Sequence, residues 1–376
     1  MKTWKALVEK VGYPSLIIGA FFIFLIISAL LLGLRAGDVF SDVLRRWLMY
    51  SILVLAMVPG VQSGIGLNFG ISLGIVSGLL GAVLSMELSF RAGWTETLGT
   101  GAAWLTLLAA LLIGIGFAVV FGIIYGMLLN KVKGSEMTVS TYVGFSVIAF
   151  MNIVWLSFAF QNGELIWPMQ GRGLRNQISL AGSFSGILSD PDIVAATQPK
   201  WLQWLAFRVG PVSIPLGLII VFLLCCLAVW LFLRSKSGIA MSGAGENQLF
   251  TTSSGINVDK MRILGTTVST ALGAVGIIMY AQTYGFLQLY NAALMMGFAS
   301  VAAVLIGGAT VNRASIGNVM IGTLLFQGIL AIALPVANEA LKIGILPEVL
   351  RIIISNGIFT PAPALPVQAE FPRKLA

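Results

Sequence analysis

Side chains that could bind a small polar molecule are few in this sequence, and they are uncharged amides. They lie in or near apolar stretches: Gln62, Asn68, Asn152, Gln282, Asn291 and Gln327. Uncharged hydrogen-bonding groups suit a neutral polyhydroxylated solute, whereas carboxylates in mid-span would favour coupling to protons or sodium. Gly64, Gly307 and Gly308 stand where apolar stretches are interrupted, and they complete the candidate solute pathway. The competing interpretation of each amide is an interhelical hydrogen bond, worth about 0.6 kcal/mol.

The residues needed for catalysis or nucleotide binding are missing. The sequence contains no histidine, which excludes a Ser-His-Asp triad and histidine metal ligands. It contains no Gly-Lys dipeptide, so the phosphate-binding loop G-x-x-x-x-G-K-[ST] is absent. Glu87, Glu136 and Glu164 fall near the ends of apolar stretches, where none is a strong candidate for a proton relay. We therefore predict that the chain is not an enzyme and has no catalytic residue, metal or cofactor.

One polar stretch, residues 242–258, separates two apolar segments and has an informative spacing of glycines. Gly243 and Gly245 open the stretch and Gly255 closes it, with two turns of helix between them. A glycine directly after a helix commonly adopts the left-handed conformation that ends the helix. The pattern predicts a short helix with a glycine hinge at each end, and an ordinary connector is the competing interpretation.

The order of residue types in this stretch carries a family resemblance. Gly245, Glu246, Asn247 and the run Ser254-Gly255-Ile256 match the pattern. The stretch resembles the cytoplasmic loop of permease subunits of type II ABC importers, the binding-protein-dependent family for ribose, galactose and branched-chain amino acids. The resemblance covers about residues 49–358. It implies a coupling helix that fits a groove on a separate ATPase subunit. The implied coupling residues are Gly245, Glu246, Asn247, Gln248, Leu249, Phe250, Ser254, Gly255 and Ile256.

Composition predicts an all-α, polytopic transmembrane helical bundle. The 376 residues are 58% hydrophobic and 10% charged, with a mean hydropathy of +0.96, whereas a soluble domain carries about 25% charged residues. Apolar runs long enough to cross a membrane as helices recur along the chain. We predict about ten spans in a single transmembrane domain over residues 1–376. The net charge of +8 does not indicate nucleic acid, because the cations are scattered between the spans.

Four segments lie outside the predicted spans. Residues 1–14 form a basic lead and residues 361–376 form a proline-rich tail that we expect to be disordered. Ten spans put both ends on one side of the membrane, which we take to be the cytosol. Residues 234–260 then form a cytosolic coupling loop, and residues 160–210 form a long extracytoplasmic segment. Lysine and arginine give only a weak bias, so this orientation follows mainly from the resemblance.

The resemblance also implies two halves of inverted topology, with spans two to five and seven to ten on either side of span six. An offset of five spans reverses the direction of each helix, so the predicted count is consistent with inversion. Helix breaks at residues 64–68 and 307–313 are expected to be matching features of the two halves. Irregular backbone at membrane depth must be buried in protein or line a cavity, so both breaks are candidates for the pathway.

From the resemblance we predict a permease subunit in the bacterial inner membrane that moves a small polar solute, with ATP hydrolysed on another subunit. We expect the solute to be a monosaccharide, and a nucleoside is the alternative. The implied partners are an ABC ATPase subunit, an extracytoplasmic solute-binding protein, membrane lipid, and a second permease as a homodimer or heterodimer. A secondary transporter would need a mid-membrane ionisable residue, and a purely structural protein would not explain the paired helix breaks.

Overall fold

The computed structural model describes residues 13–167, 173–341 and 352, and most of these residues are helical. The α-helices of the described residues are α1 (Tyr13–Leu31), α2 (Ala36–Leu55), α3 (Met57–Gln62), α4 (Ile71–Arg91), α5 (Trp94–Leu98), α6 (Gly101–Lys131), α7 (Glu136–Ser157), α8 (Pro191–Thr197), α9 (Leu216–Arg234), α10 (Lys236–Glu246), α11 (Gln248–Ser253), α12 (Val258–Tyr284), α13 (Ala292–Ile306) and α14 (Ile316–Leu341). The short strands are β1 (Gln177–Ser179), β2 (Phe207–Val209), β3 (Val212–Ile214) and β4 (Phe286–Gln288), and a 3-10 helix, Lys200–Leu205, precedes β2.

The length and composition of the helices confirm the all-α polytopic bundle. Among the described residues, seven helical stretches are long and apolar enough to cross a membrane: Ala36–Gln62, Ile71–Arg91, Gly101–Lys131, Glu136–Ser157, Leu216–Arg234, Val258–Tyr284 and Ile316–Ala340. Two shorter apolar helices, Ser15–Leu31 and Ala292–Ile306, accompany them. The predicted tenth span at 350–359 and the terminal segments 1–14 and 361–376 lie almost wholly outside the described residues, so the count of ten stays a prediction.

The second span differs from its predicted boundaries. The apolar run at residues 47–62 predicts a span that Pro59 and Gly60 interrupt, but the helical stretch begins at Ala36 and both residues lie inside α3. Proline is tolerated there because it stands in the first turn of α3, where its missing N–H is not needed. The chain leaves the helix at residues 63–70, which include the expected break at 64–68. The third span, predicted from about residue 66, therefore begins at Ile71.

Hydrogen bonds define two ends of the bundle. We call the end formed by residues 158–167 and 173–214 the loop end, and the end formed by residues 235–257 the junction end. The α2 helix starts at the loop end, where the hydroxyl of Ser41 accepts a hydrogen bond from the backbone N–H of Ser213 at 2.9 Å. The α3 helix, which continues it, finishes at the junction end beside α10. Residues 36–62 therefore cross the whole bundle.

The direction of the spans alternates as the predicted topology requires. The α6 helix starts at the loop end, where the indole of Trp104 donates to Gln198 at 2.8 Å. It finishes at the junction end, where the amide of Asn130 donates to the carbonyl of Asp259 at 2.9 Å. The α7 helix then starts at the junction end and finishes beside residues 173–174 at the loop end, where Leu174 N–H donates to the Trp155 carbonyl.

The two halves of the bundle contact each other reciprocally. The α12 helix, span seven, packs along α6, span four. The α14 helix, span nine, packs along α2, span two. Inversion exchanges each span with the span five places along the chain, so span two exchanges with span seven and span four with span nine. This exchange turns the α12–α6 contact into the α14–α2 contact. It leaves the contact between α4 (span three) and α13 (span eight) unchanged. These contacts agree with the inverted halves.

The long segment at the loop end is folded back on the bundle. The β1 strand pairs with β4 in an antiparallel register that sets Ile178 opposite Leu287. The β2 and β3 strands form a hairpin with Phe207 opposite Ile214. The β1–β4 pairing joins the predicted extracytoplasmic segment 160–210 to the connection between spans seven and eight, so both halves contribute to this end.

Glycines set the spacing of the three central helices, α4, α6 and α12. A Cβ atom added at Gly81 would lie 2.6 Å from the Cα atom of Gly114, so α4 and α6 touch backbone to backbone. A Cβ atom added at Gly122 would overlap the hydroxyl of Thr270 on α12 and lie 2.8 Å from the Cα atom of Thr267. Small residues allow the close approach that stabilises helix pairs in lipid, where no hydrophobic driving force acts between them.

This packing predicts different effects for two glycines of the same helix. Gly122→Ala should lower the unfolding free energy in detergent by about 1–3 kcal/mol, because the new methyl group overpacks the α6–α12 contact. Gly116→Ala is the matched control, since a Cβ atom there meets no atom within 4 Å. Thermal unfolding followed by size-exclusion chromatography measures both variants. Equal unfolding temperatures for the two variants would contradict the close contact.

Candidate functional site

The polar stretch between spans six and seven forms two helices and not the single predicted helix 246–254. The α10 helix ends at Glu246, and Asn247 takes an extended conformation before α11 begins. The side-chain oxygen of Asn247 accepts a hydrogen bond from the backbone N–H of Phe250 at 2.9 Å. Asparagine caps a helix well because it satisfies a backbone donor that the first turn leaves free. The bend therefore lies at Asn247, whereas Gly243 and Gly245 are inside α10.

The second predicted hinge has the expected conformation. Gly255 has a φ of +79°, which is the left-handed region that disfavours residues with a Cβ atom. A Cβ atom placed there would meet no atom within 4 Å, so the glycine is required by the backbone and not by its neighbours. Asn257 then caps α12 by accepting a hydrogen bond from the N–H of Lys260 at 3.0 Å.

Gly245 has a different function from a hinge, because it lets α10 touch the first helix break. A Cβ atom at Gly245 would overlap the carbonyl oxygen of Gln62. A Cβ atom at Gly64, whose φ is +78°, would lie 2.8 Å from the Cα atom of Gly245. The two backbones are therefore in direct contact. On the other side of the break, a Cβ atom at Gly265 of α12 would overlap the side chain of Ser63.

The side chain of Gln62 connects three segments that are distant in sequence. Its Oε1 atom accepts a hydrogen bond from the hydroxyl of Ser242 in α10 at 3.0 Å. Its Nε2 atom donates a hydrogen bond to the carbonyl of Ala314 in the second helix break at 2.9 Å. The exposed pair Arg313–Glu246, at 3.9 Å, is a weaker contact between the same break and α10. Gln62 is thus part of the junction end, where it contacts protein on both sides.

The two helix breaks are not the matching features that the sequence analysis expected. Both lie at the junction end, because Gln62 before the first break contacts Ala314 in the second. Inverted halves place equivalent connections at opposite ends of the bundle. By an offset of five spans, the break at 63–70 corresponds to the connection at 285–291, and the break at 307–315 corresponds to the connection at 92–100.

The breaks do share one cavity at the junction end. It has a volume of about 240 Å³ and is lined by residues 64–66, 134–138 and 311–312. Gly64, which the sequence analysis proposed for the solute pathway, is therefore at the wall of a cavity. The cavity opens between the start of α7 and the two breaks, directly beside the contact between α10 and Gln62.

A buried ion pair lies beside this cavity. The guanidinium of Arg262 in α12 contacts the carboxylate of Glu136 at 2.5 Å, and the Arg262 side chain is 0% exposed. The second oxygen of Glu136 accepts a hydrogen bond from the N–H of Gly134 at 2.8 Å. Nε and Nη1 of Arg262 have no hydrogen-bond partner in the described part of the chain. The sequence analysis missed Arg262, although an arginine within an apolar span is a signal of function.

The other pathway candidates are not brought together. Asn68 is fully buried, donates a hydrogen bond to Ser269 at 3.1 Å and accepts one from the hydroxyl of Tyr125 at 2.9 Å. It is thus the interhelical bond that was the competing interpretation. Gly307 is also a packing residue, because a Cβ atom there would overlap the carbonyl of Asn318 in α14. Gly308 has a φ of +87° and forms the turn that follows α13.

The remaining amides are dispersed over the bundle. Gln282 is buried where α12 meets the loop end, and its Oε1 atom accepts a hydrogen bond from Thr283 at 3.1 Å. Asn152 lies in α7, and Gln327 is buried in α14. Asn291 is exposed immediately before α13. None of these side chains lines the junction cavity, and their role in a pathway stays a prediction.

An aromatic cleft between α4, α7 and α13 was not predicted. The ring centroids of Phe69 and Phe298 are 5.6 Å apart, and those of Phe145 and Phe298 are 5.9 Å apart. The free volume of the cleft is about 10 Å³, so the rings close it in this conformation. It is further lined by Ser72, Thr141, Gly144, Ile148, Leu294 and Gly297. Isolated phenylalanines in apolar spans give no sequence signal that distinguishes a cleft from lipid contact.

Comparison with protein families matches most of the chain. The family model described as "Branched-chain amino acid transport system / permease component" matches residues 39–354. Two relatives are the High-affinity branched-chain amino acid transport system permease proteins LivH of Salmonella typhimurium (strain LT2) and Escherichia coli (strain K12). Each is 28% identical to this chain over 244 residues, which covers 56% of this chain and 79% of the relative.

A shorter match covers part of another transport protein. The Tyrosine transport system permease protein of Clostridioides difficile (strain R20291) is 35% identical over 95 residues, which covers 24% of this chain and 32% of the relative. No solved structure matches the chain.

The buried ion pair gives a prediction with a matched control. Glu136→Gln should lower the unfolding free energy by about 3–5 kcal/mol, because it leaves the buried Arg262 charge without a counter-ion. Glu164→Gln removes a carboxylate that is 70% exposed and 4.0 Å from Arg175, and it should cost less than about 1 kcal/mol. Chemical unfolding in detergent measures the difference. A Glu136→Gln protein as stable as the control would show that the pair does not hold α7 to α12.

Proposed function

This chain belongs to the family of permease components of branched-chain amino acid transport systems. From that membership we propose that its junction end couples transport to the ATPase and that its aromatic cleft is part of the solute's route. The chain is the permease of an ABC importer and a multi-pass protein of the inner membrane. Membership of this family implies an ATPase and a solute-binding protein as partners.

The α10–α11 segment is our candidate for the ATPase-coupling element. Leu249 and Phe250 are 84% and 71% exposed on α11, a short helix whose main contacts are with α10 and α12. Two large apolar side chains on an exposed polar segment are typical of anchors that a partner's pocket desolvates. Asn247 and Gly255 fix the two ends of α11, so the anchors are presented rigidly. The junction end is then cytosolic, and the loop end faces the solute-binding protein.

We propose an amino acid with an apolar side chain as the solute, in place of the monosaccharide expected from the sequence. The named relatives are permeases for branched-chain amino acids and tyrosine. Asn68, an amide that could have bound a sugar hydroxyl, is already engaged in hydrogen bonds between helices. Phe69, Phe145 and Phe298 offer an apolar wall that suits an aliphatic or aromatic side chain.

The route that we propose runs from the aromatic cleft to the junction cavity. Phe69 lines the cleft and lies within the first helix break, whose residues 64–66 line the cavity. The cleft is closed at about 10 Å³ while the cavity holds about 240 Å³. A conformation closed at the cleft and open at the junction corresponds to the inward-facing half of alternating access. We further propose that a second permease, a copy or a homologue, completes the pathway.

The test is transport by the reconstituted complex. The permease, its ATPase and its binding protein are placed in liposomes that contain ATP, and uptake of labelled leucine or tyrosine is measured with ribose as competitor. We expect ATP-dependent uptake that unlabelled leucine or tyrosine reduces and that excess ribose leaves unchanged. Liposomes loaded with a non-hydrolysable ATP analogue are the control and should accumulate nothing.

Two outcomes would contradict the proposal. ATP-dependent uptake of labelled ribose, with no uptake of labelled leucine or tyrosine, would return the solute to the sugar class. Accumulation by the permease alone, driven by a proton or sodium gradient, would favour a secondary transporter.

A further inference from the structure

We propose that Gln62 is a positioning residue that ties the α10 helix to both helix breaks, so that the three segments move as one unit when the ATPase acts. The inference rests on the proposed role of the α10–α11 segment in coupling. It assigns to Gln62 a mechanical task in place of the solute contact that its polarity suggested. Three observations at the junction end support this role of Gln62.

The first contact is the bifunctional amide itself. Gln62 uses its acceptor toward Ser242, 180 residues away, and its donor toward Ala314, 252 residues away. The orientation of the amide is fixed by chemistry, because the carbonyl of Ala314 can only accept a hydrogen bond. A flipped amide would set two oxygens against each other. Glutamine is therefore the side chain that can satisfy both partners at once.

The second contact is the close packing of residues 62–64 against glycines of α10 and α12. The carbonyl of Gln62 rests against Gly245 of α10, and Ser63 rests against Gly265 of α12. No side chain lies between the α10 backbone and the first break. A displacement of α10 therefore moves the first break directly, because no flexible side chain can absorb the motion. Packed backbones transmit displacement because protein interiors are dense and have little free volume.

The third observation is that the two breaks are connected to α10 in different ways. The second break has no comparable close contact with a glycine of α10 among the described residues. Its polar links to the first break and α10 are the Gln62–Ala314 bond and the exposed Arg313–Glu246 pair, and its Val311 side chain also lies beside Gly66 of the first break. An exposed ion pair contributes little, so Gln62 carries most of the polar connection. Because both breaks line the junction cavity, a coordinated shift of the two changes the cavity's width.

Three variants separate the arms of this connection. Ser242→Ala removes only the bond to α10. Gln62→Glu keeps an acceptor for Ser242 but sets a carboxylate oxygen against the Ala314 carbonyl, which removes only the bond to the second break. Gln62→Leu removes both bonds with little change in volume. Ser28→Ala is the control, because Ser28 lies on α1, outside the junction end, and its hydroxyl donates a hydrogen bond within its own helix, to the carbonyl of Phe24.

The functional readout is the amount of solute imported per ATP hydrolysed by the reconstituted complex. A connection that transmits motion predicts a loss of about fivefold for each single-arm variant, with ATPase activity in the absence of solute unchanged. A merely structural role would lower both activities together. Adding Ser242→Ala to Gln62→Leu should cause no further loss, because the bond is already gone. Wild-type coupling in the Gln62→Glu and Gln62→Leu variants, or full additivity in the double variant, would overturn the proposal.

A second readout does not depend on transport. Hydrogen exchange of the permease alone should become faster at residues 308–315 in the Gln62→Glu and Gln62→Leu proteins, and it should not change in residues 272–280 of α12. Ser242→Ala should leave residues 308–315 unchanged. If the wild-type complex shows no ATP-driven uptake while this exchange pattern appears, the proposed function fails and the physical tie stands. Unchanged exchange at 308–315 in both Gln62 variants would overturn the tie itself.

Discussion

The junction end of this permease depends on one contact, the approach of the α10 backbone to the carbonyl of Gln62. Gly245 permits that approach, since any side chain there would overlap the carbonyl oxygen. The contact covers a stretch of broken helix whose free backbone groups could not face lipid. It also brings Ser242 and the second break within reach of a single amide. A cavity, two helix breaks and the proposed ATPase-coupling segment are thus assembled around one glycine.

The central helices follow the same physics on a larger scale. In α4, α6 and α12, glycines let backbones touch, and buried threonines such as Thr270 bond to carbonyls of a neighbouring helix. Packing of this kind favours discrete arrangements, because backbone contacts cannot deform gradually. The buried Arg262–Glu136 pair fixes the start of α12 to the start of α7 at the junction end. We infer that rearrangement occurs at the breaks and the aromatic cleft, while the central helices move as rigid bodies.

Hydrophobic run lengths predicted the fold, because the bilayer imposes a fixed span length that composition reveals directly. Boundaries were less predictable. Pro59 suggested an interruption within the second span, but its position in the first turn of α3 is harmless. The chain leaves the helix at the glycine-containing break 64–68, which the sequence did indicate. The glycines of α10 were misassigned as a hinge. A glycine that bends a helix and a glycine that admits another backbone are identical in sequence.

The candidate site was predictable only where local chemistry decided it. The left-handed conformation of Gly255 follows from its position after a helix, and the structure has it. The amides of Asn68 and Gln62 look alike in sequence, yet one bonds between central helices and the other connects the junction segments. Phe298 gave no clear signal, and the charge of Arg262 indicated a role but not its partner. Both residues depend on partners more than 100 residues away. Long-range pairing of this kind requires the three-dimensional structure.

The central claim is that α11 is the surface on which the ATPase acts, and cross-linking tests it most directly. Cys225 and Cys226 are first replaced by alanine, and a single cysteine is introduced by Leu249→Cys, at a residue that is 84% exposed. The account predicts a cross-link to the ATPase subunit in the assembled complex, and labelling of the uncomplexed permease only from the cytosolic side. Thr197→Cys, on exposed α8 at the loop end, should give no ATPase cross-link and should label from the opposite side. Labelling of both positions from one side, or no ATPase cross-link at position 249, would contradict the account.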